Sequence, residues 1–337
     1  MMKRIIFILI SVIALASCRS DMQGDDALLD RGIKVFRYDR LQYEATAMNS
    51  IAAVQRMSLD CPQATRILIE DVLMLGKVDD PNINERMCAY YTDSVLFRLM
   101  LDAEEKFDDM RPLEEALTEG FKKLKEEVPS IPIPSIYSQI SALNQSIVVG
   151  DSLLGFSIDK YMGEDYPLYK KYYYAYQRRS MKPERILPDC FTFYLMSQYP
   201  FGWEKGHRTL FDVIMHQGKI NWVVRKILGM KSNAEMLGYT KEETEWCKKN
   251  EKALWNWMIS KKHLDSTDPM IIRAYTHPDP NIILKGELIP PVVGIWIGMQ
   301  LTEKFMKQHP DISVEALLEC EDCLLYTSPS PRDISGS

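Results

Sequence analysis

The sequence predicts an α+β fold that is mostly helical and contains one small β-sheet and a central buried helix. Several segments with helical character fill most of the chain. Residues 136–149 and 153–158 depart from that pattern, because they follow three prolines, are rich in Ile, Val, Leu and Ser, and are separated by the turn Gly150-Asp151. Residues 209–228 are apolar on most sides, which indicates a buried helix. A helical protein with a small hairpin or sheet upstream of its central helix is therefore expected.

The N-terminus has the pattern of an exported lipoprotein. A Lys-Arg pair precedes an apolar run over residues 5–16, which is too short for an ordinary membrane span. The run ends in Leu-Ala-Ser-Cys at residues 15–18, which matches a bacterial lipobox. We therefore predict a lipoprotein signal peptide at residues 1–17, lipid attachment at Cys18 and a lipidated tether at residues 18–33. The alternative is an ordinary secretory signal in which Cys18 is incidental.

Composition excludes some classes of protein. The 337 residues carry a formal net charge of −6 and no basic block, which argues against a nucleic-acid-binding protein. After the leader, no stretch approaches the roughly 20 apolar residues that a membrane-spanning helix needs. Cys61, Cys88, Cys190 and Cys247 are scattered along the chain. An odd number of cysteines without a compact framework favours free buried thiols.

The first part of the mature chain is predicted to be helical to about residue 128. Residues 34–40 indicate a short strand that leads into a helix. Further helices are expected from Pro62 to about residue 75, over residues 84–107 and over residues 112–127. Pro62 stands at a typical first helical position, and the outer face of the last of these helices is rich in Glu and Lys. The sheet and the helical core should follow this block.

Tyrosines crowd the helix that is predicted over residues 168–178. Four of them fall within residues 169–174, and Tyr176 follows. A half-buried helix with hydroxyl groups at its rim explains this composition. The alternative is a platform that binds a peptide together with the strand in the 150s. A further helix is predicted to begin between Pro183 and Pro188 and to run through Tyr199.

The central helix carries three polar residues, Asp212, His216 and Lys219, on one face, because their spacing is i, i+4 and i+7. A zinc peptidase carries His-Glu-x-x-His on such a helix, with two imidazoles as zinc ligands and the Glu as general base. Here Asp212 replaces the first His and can still ligate zinc, whereas Val213 replaces the Glu and cannot move a proton. We predict that the three polar residues satisfy one another's charges inside a helical core.

Two alternatives remain open for this face of the central helix. It could form a non-catalytic metal site, or it could belong to an active zinc peptidase whose third ligand comes from a downstream helix. Glu251 and Glu245 lie in the appropriate region for that ligand. The preferred prediction treats Asp212, His216 and Glu251 as vestigial metal-site positions, with no catalytic residue, no bound metal and no other cofactor.

The C-terminal part is predicted to add several helices to the core. Gly229 ends the central helix, and a capping box at residues 240–243 opens the next one. Further helices are expected to start at Asp268-Pro269, at residue 292 and at Ser313, with a proline-rich loop over residues 277–291 before the second of them. The helix over residues 292–307 carries Gly294 and Gly298, which allow close helix packing.

The last residues have a different character. The stretch that begins at Cys323 closely resembles translated sequencing-adapter sequence. Residues 323–337 are therefore expected to be non-native, and Cys320 and Cys323 are not expected to form a metal or redox pair. The predicted folded part is a single domain over residues 34–322.

Several phrases together resemble the GldB-type gliding motility lipoproteins of Bacteroidota. They are SIVVGDSLLG at 146–155, YMGEDYP at 161–167, MKP at 181–183, QGK at 217–219, GYT at 238–240, WCxxNE at 246–251 and GIWIG at 294–298. The resemblance covers roughly residues 1–322 and implies an envelope lipoprotein that is tied to gliding and to protein secretion. It also implies kinship with predicted zinc peptidases that carry HExxH on a central helix. This chain departs from their catalytic pattern at Asp212 and Val213.

The sequence thus predicts a lipid-anchored cell-envelope protein with a non-catalytic, zinc-peptidase-like core that acts as a scaffold or assembly factor. The alternatives are a metal-binding or active zinc metallopeptidase and a peptide-binding module. The expected partners are the membrane, through the lipid, and proteins of the envelope or of the secretion machinery, with no small-molecule substrate. Arg19 differs from the Asp that retains lipoproteins at the inner membrane, which favours the outer membrane, facing the periplasm.

Overall fold

The computed structural model describes residues 25, 27–203, 208–278, 283–284 and 287–320, with the backbone alone at 283–284 and 287–288. The predicted lipid-attachment residue Cys18 and the tail at 323–337 lie outside the described residues. The chain divides into two compact units, of which the first ends at Lys160 and the second begins at Tyr161.

The first unit combines four strands with several helices, and residues 27–31 are helical ahead of the first strand. In chain order, the elements from that strand onward are β1 (Val35–Arg37), α1 (Tyr38–Ala47), α2 (Ile51–Asp60), α3 (Pro62–Arg66, continued by a π-helix at Ile67–Val72), α4 (Ile83–Tyr91), α5 (Ser94–Lys106), α6 (Arg111–Glu127), β2 (Ser135–Gln139), β3 (Ile147–Gly150) and β4 (Leu153–Ser157). A 3₁₀ turn at Ile158–Lys160 closes the unit.

Among its described residues, the second unit contains helices and one short pair of strands. Its described elements are α7 (Pro167–Tyr172), α8 (Ala175–Arg178), α9 (Ile186–Gln198), α10 (Leu210–Ile227), α11 (Asn233–Leu237), α12 (Lys241–Ser260), α13 (Pro269–Thr276), β5 (Ile283–Leu284), β6 (Glu287–Leu288), α14 (Val293–Gln308) and α15 (Val314–Glu319). The predicted loop over residues 277–291 thus contains an antiparallel strand pair, with Ile283 opposite Leu288.

A four-stranded mixed sheet is the organising element of the first unit. Its strand order is β1-β2-β4-β3, with β1 and β4 parallel to β2, and β3 antiparallel to β4. The α+β prediction is therefore confirmed, including the hairpin of β3 and β4. The sheet belongs with the N-terminal helices, because β1 comes from the start of the chain and pairs with β2, placing Val35 opposite Ile136.

Two segments that were predicted to be continuous are interrupted in the first unit. The single helix expected over residues 84–107 is split into α4 and α5, because the Asp93 side chain accepts hydrogen bonds from the N–H groups of Val95 and Leu96 and starts a new helix. The strand expected over residues 136–149 is split into β2 and β3. Between them the chain turns so that the backbone N–H groups of Ser141 and Leu143 donate to the buried Asp159 carboxylate.

The tyrosine-rich helix expected over residues 168–178 is also two helices, α7 and α8. Tyr173, between them, has an extended backbone (φ −125°, ψ 141°), so the helix cannot continue through it. The break lets Gln177 cap the new helix, because its side chain accepts a hydrogen bond from the Tyr174 N–H at 2.9 Å.

The central helix of the prediction is α10, and it crosses α14 at very short range. An added Cβ at Gly298 would overlap the carbonyl oxygen of Ile214 and would lie 3.0 Å from the Cα of Gly218. At Gly294 it would lie 2.8 Å from the Ile214 side chain. The close packing predicted from Gly294 and Gly298 is thus confirmed, and the contacting face of α10 contributes its own glycine.

Two further properties bear on the sequence predictions. Over the described ranges, none of the helices combines the length and the apolar character that crossing a membrane requires. Cys61, Cys88, Cys190 and Cys247 are free thiols, as predicted, although Cys61 and Cys88 are only half-buried. Cys320 is disulfide-bonded. The expectation for the pair of Cys320 and Cys323 stays a prediction, because Cys323 lies outside the described residues.

Candidate functional site

Asp212 is tied to the N-terminus of its own helix. Its carboxylate accepts hydrogen bonds from the backbone N–H and from the hydroxyl of Thr209, at 2.9 and 2.7 Å. In return, the Thr209 hydroxyl accepts from the Asp212 N–H at 3.2 Å. These reciprocal bonds form a capping box. The Thr-x-x-Asp spacing in the sequence could have revealed this role.

His216 lies one turn further along α10 and is half-buried. Its ring packs edge-on against Phe201, with the ring centroids 5.2 Å apart. Burial, and then the positive charge of Lys219, lower the pKa of His216 to about 4. The imidazole is therefore neutral near pH 7, which is the form that could bind a metal or exchange hydrogen bonds with a ligand.

Lys219 is almost fully buried, with 6% of its surface exposed. Its ammonium group donates hydrogen bonds to the carbonyl oxygens of Leu318 and Cys320, at 3.1 and 2.6 Å. These bonds fasten the end of α15 to the central helix. These described hydrogen bonds of Asp212 and Lys219 go to a helix cap and to C-terminal carbonyls. The mutual neutralisation of Asp212, His216 and Lys219 stays a prediction.

The polar face of α10 borders a cavity of about 220 Å³ in the second unit. Three segments of the chain line it: residues 198–202 at the end of α9, one face of α10 that includes Asp212, His216 and Lys219, and residues 318–320 at the end of α15. Apolar and aromatic side chains share the wall with the polar side chains of Gln198, Asp212, His216, Lys219 and Glu319. A wall that combines apolar surface with polar groups can bind and orient a ligand.

Glu251 does not join Asp212 and His216. It lies on α12, where it accepts a 3.4 Å hydrogen bond from the side chain of Gln300, and it does not line the cavity. Burial raises its pKa, although the bond from Gln300 and the charge of Lys304 oppose this shift. Of the residues described, no three His, Cys, Asp or Glu side chains are grouped to hold a metal ion. The described residues thus offer Asp212 and His216 as candidate ligands, without a third.

Two further positions of the predicted peptidase pattern are Val213 and Glu245. Val213, which stands where the general base would be, is 5% exposed and belongs to the core. Glu245 is exposed and pairs with Lys248 at 3.4 Å. Neither Val213 nor Glu245 therefore contributes to the described wall of the cavity.

The tyrosine cluster combines core and surface residues. Tyr169 is fully buried, and its hydroxyl accepts a hydrogen bond from the Met162 N–H at 2.9 Å. Tyr172 and Tyr174 are 58% and 72% exposed. The ring of Tyr174 stacks on that of Tyr176 at 5.8 Å. The cluster belongs to the second unit, whereas the strand in the 150s belongs to the first.

Fold and site together define a mostly helical α+β protein whose central helix lines a cavity of about 220 Å³ with an aspartate and a histidine one turn apart. The chain belongs to the family of the gliding motility protein GldB, whose family model matches residues 21–324. This membership confirms the resemblance noted in the sequence, whereas the kinship with zinc peptidases stays a prediction. No match was found among curated proteins or among solved structures.

Proposed function

We propose that this chain is a lipid-anchored scaffold or assembly factor of the cell envelope, acting with the gliding and secretion machinery, and that its central helix is non-catalytic. One observation carries the proposal: the polar face of α10 is used for structure. Asp212 caps the helix, and Lys219 holds the C-terminal segment. Val213 fills the position of the general base with an apolar side chain. Membership of the gliding motility family supports the cellular role.

Complementation in a gliding bacterium that lacks its own family member tests this proposal. We expect His216→Ala to restore gliding and adhesin export to the wild-type level, because a scaffold needs no imidazole for chemistry. Glu245→Ala, at an exposed position, serves as the matched control. Loss of function in His216→Ala, with normal protein abundance and normal thermal stability, would contradict a non-catalytic role.

The lipid anchor is tested separately by Cys18→Ser. The variant cannot take the diacylglycerol group, and stable membrane attachment requires more than one acyl chain. We expect it to leave the membrane fraction while its folded part remains intact. Fractionation of the outer and inner membranes then determines which membrane contains the wild-type protein. We propose the outer membrane, with the protein facing the periplasm.

A second candidate function is a metal site, favoured by one observation. Asp212 and His216 lie one turn apart on α10 and line the same cavity. Elemental analysis of the full chain, purified without chelator, discriminates between the two functions. About one zinc per chain that is lost in both Asp212→Ala and His216→Ala would establish a metal site and reopen the peptidase alternative. A metal-free protein supports the scaffold.

The peptide-binding alternative rests on the exposure of Tyr172 and Tyr174. Exposed tyrosines are frequent anchors in protein interfaces. In-cell crosslinking of the wild type and of the Tyr172→Ala/Tyr174→Ala variant tests this alternative. Capture of the same partner by both proteins would show that these two side chains are not needed for binding.

A further inference from the structure

The outer side of α12 carries a cluster of lysines over its second half. The buried side chains of this helix, among them Leu254, Trp255 and Met258, belong to the core of the second unit. From residue 248 to residue 262, the exposed residues are Lys248, Lys249, Lys252, Asn256, Ile259, Ser260, Lys261 and Lys262. We call the five exposed lysines and Ile259 the lysine face.

The geometry of the helix brings these side chains together. Lys248, Lys252 and Ile259 line up along α12, because steps of four and seven residues return to the same side of an α-helix. Lys261 and Lys262 follow at the C-terminal end of the helix. At about 1.5 Å per residue, the distance along the axis from Lys248 to Ile259 is about 17 Å. The lysine face can therefore contact several anionic groups at once.

The acidic side chains nearby leave the lysine face positively charged. Glu245 lies 3.4 Å from Lys248, but both side chains are largely exposed, and such surface pairs are weak. Glu251, the acidic residue within this stretch, is half-buried. Asp265 and Asp268 lie in the loop that follows, where Asp268 caps the next helix.

The lysines also repel one another. Lys248 and Lys252 are four residues apart, and Lys249 and Lys252 are three apart, so both pairs place like charges side by side. Pairs of like charge at these spacings destabilise a helix. The arrangement therefore does not serve the stability of α12, and an external anion would relieve the repulsion.

The residue types on this face indicate the kind of anion. Lysine is depleted at protein–protein interfaces, where arginine is enriched, and the lysine face contains no arginine. Lysine presents a flexible point charge, which suits mobile phosphate groups better than a partner of fixed geometry. Ile259, which is 44% exposed, adds an apolar side chain that can enter the boundary between headgroups and acyl chains. Lysine clusters on a helix surface are typical of binding to anionic lipids.

The lipid anchor would bring such a surface close to the lysine face. This step rests on the proposed function, in which Cys18 holds the chain at a bilayer and so raises the effective concentration of lipid headgroups around it. We propose that the lysine face docks on an anionic phospholipid bilayer and thereby fixes the orientation of the second unit relative to the membrane.

Amine labelling on vesicles tests the docking. Lipidated protein is mixed with vesicles of phosphatidylcholine alone, or of equal parts phosphatidylcholine and phosphatidylglycerol, and exposed lysines are acetylated with an N-hydroxysuccinimide ester. We expect Lys248, Lys249 and Lys252 to react at least about fivefold more slowly on the anionic vesicles, because the bilayer covers them. The exposed Lys106 and Lys122, in the first unit, are the internal controls. At about 1 M salt, where the Debye length is about 3 Å, the difference should disappear.

A triple variant tests whether the lysines drive the docking. Each lysine near an anionic surface strengthens binding by roughly fivefold, so Lys248→Gln/Lys249→Gln/Lys252→Gln should weaken docking by about 100-fold. Lys261 and Lys262 remain as reporters, and they should then react equally fast on both kinds of vesicle.

The matched control is Lys106→Gln/Lys122→Gln/Lys231→Gln, which removes the same charge at three other exposed positions. It should keep the slower labelling of Lys261 and Lys262 on the anionic vesicles. A difference that survives in the first triple variant, or that is lost in the control variant, would overturn the proposal.

Flotation of the vesicles separates this proposal from the anchor on which it rests. Flotation of the protein with neutral vesicles, with equal labelling on both kinds, would support the anchor and overturn the docking. Flotation with anionic vesicles alone would support the docking and overturn the anchor, and flotation with neither would overturn both. Equal labelling on the vesicles, together with slower labelling of the same lysines in whole cells, would assign the lysine face to an acidic protein instead.

Discussion

Replacement of Gly298 by alanine should destabilise the protein, although the same substitution usually stabilises a helix. In the interior of an isolated helix, alanine is favoured over glycine by about 1 kcal/mol. At the crossing of α10 and α14, however, the new methyl group would overlap the Ile214 carbonyl oxygen and lie 2.9 Å from its carbon and 3.0 Å from the Gly218 Cα. These are main-chain atoms, which cannot rotate out of the way.

The magnitude follows from this geometry. Ordinary contacts between carbon atoms are about 3.5–4.0 Å, so the two carbon contacts alone require the helices to separate by roughly 0.5–1 Å. The overlap with the Ile214 carbonyl oxygen requires a larger movement. Overpacking in a core costs about 1–3 kcal/mol, and contacts with rigid backbone belong at the upper end of that range. After the gain in helix propensity is subtracted, Gly298→Ala should destabilise the protein by about 2 kcal/mol.

Urea unfolding followed by tryptophan fluorescence measures this effect. All six tryptophans lie between residues 203 and 296, so their fluorescence reports on the second unit. We expect a lower midpoint at an unchanged m-value. Gln308→Ala, at the exposed end of α14, is the control and should stay within about 0.5 kcal/mol of the wild type. A Gly298→Ala protein as stable as the wild type, or more stable, would refute the close crossing.

Three further substitutions test other parts of the structure. Lys219→Met removes the two hydrogen bonds to C-terminal carbonyls and should destabilise the docked α15 by about 1–3 kcal/mol, seen as faster hydrogen exchange over residues 314–320. Burial alone would raise the pKa of Glu243. Hydrogen bonds from Arg179 and from the helix cap lower this pKa by more than burial raises it, so the net shift is downward. The stability that Glu243 contributes is present above the ordinary carboxyl pKa of about 4.3 and is lost as pH falls through the lower folded-state pKa, so Glu243→Gln should flatten the acid limb of the stability profile. Asp93→Ala removes the N-cap of α5 and should cost about 1 kcal/mol in thermal unfolding.

Each of these substitutions has a matched control at an exposed position. They are Lys231→Met, Glu245→Gln and Glu105→Ala, in the same order. We expect each control to stay within about 0.5 kcal/mol of the wild type. Unchanged exchange over residues 314–320, an acid limb as steep as in the wild type, or wild-type melting would contradict the respective assignments.

The sequence alone was sufficient where the signal is local. The start of α3 at Pro62, the capping box of α12 at Thr240 and Glu243, and the strand that leads into α1 were all predicted and are all observed. A proline, or a hydroxyl and a carboxylate three residues apart, acts on backbone groups within one turn. Such features need no knowledge of the rest of the chain.

The family is a second property that the sequence determined. Phrases such as YMGEDYP and GIWIG are dispersed over the chain, and the family model spans residues 21–324. The departure from HExxH at Asp212 and Val213 was also visible in the sequence. It predicts that α10 lacks the general base of a zinc peptidase, and it does not indicate what the polar face of α10 does.

Only the tertiary structure decided the environment of that face. Lys219 bonds to carbonyl oxygens of Leu318 and Cys320, about a hundred residues away in the chain. The cavity around His216 is lined by the segment that precedes α10 and by the end of α15. No local pattern encodes such partners, because they are selected by packing between elements that are distant in sequence.

The same reason explains the interrupted elements. Residues 136–149 have the composition of one strand, yet the chain turns after β2 because the Asp159 carboxylate, 18 residues beyond Ser141, accepts hydrogen bonds from its backbone. A buried carboxylate requires such donors. Strand propensity acts within a few residues, whereas the burial of polar groups is decided by the whole fold. Here the hydrogen bonds that the buried Asp159 carboxylate requires outweigh the strand propensity of the segment.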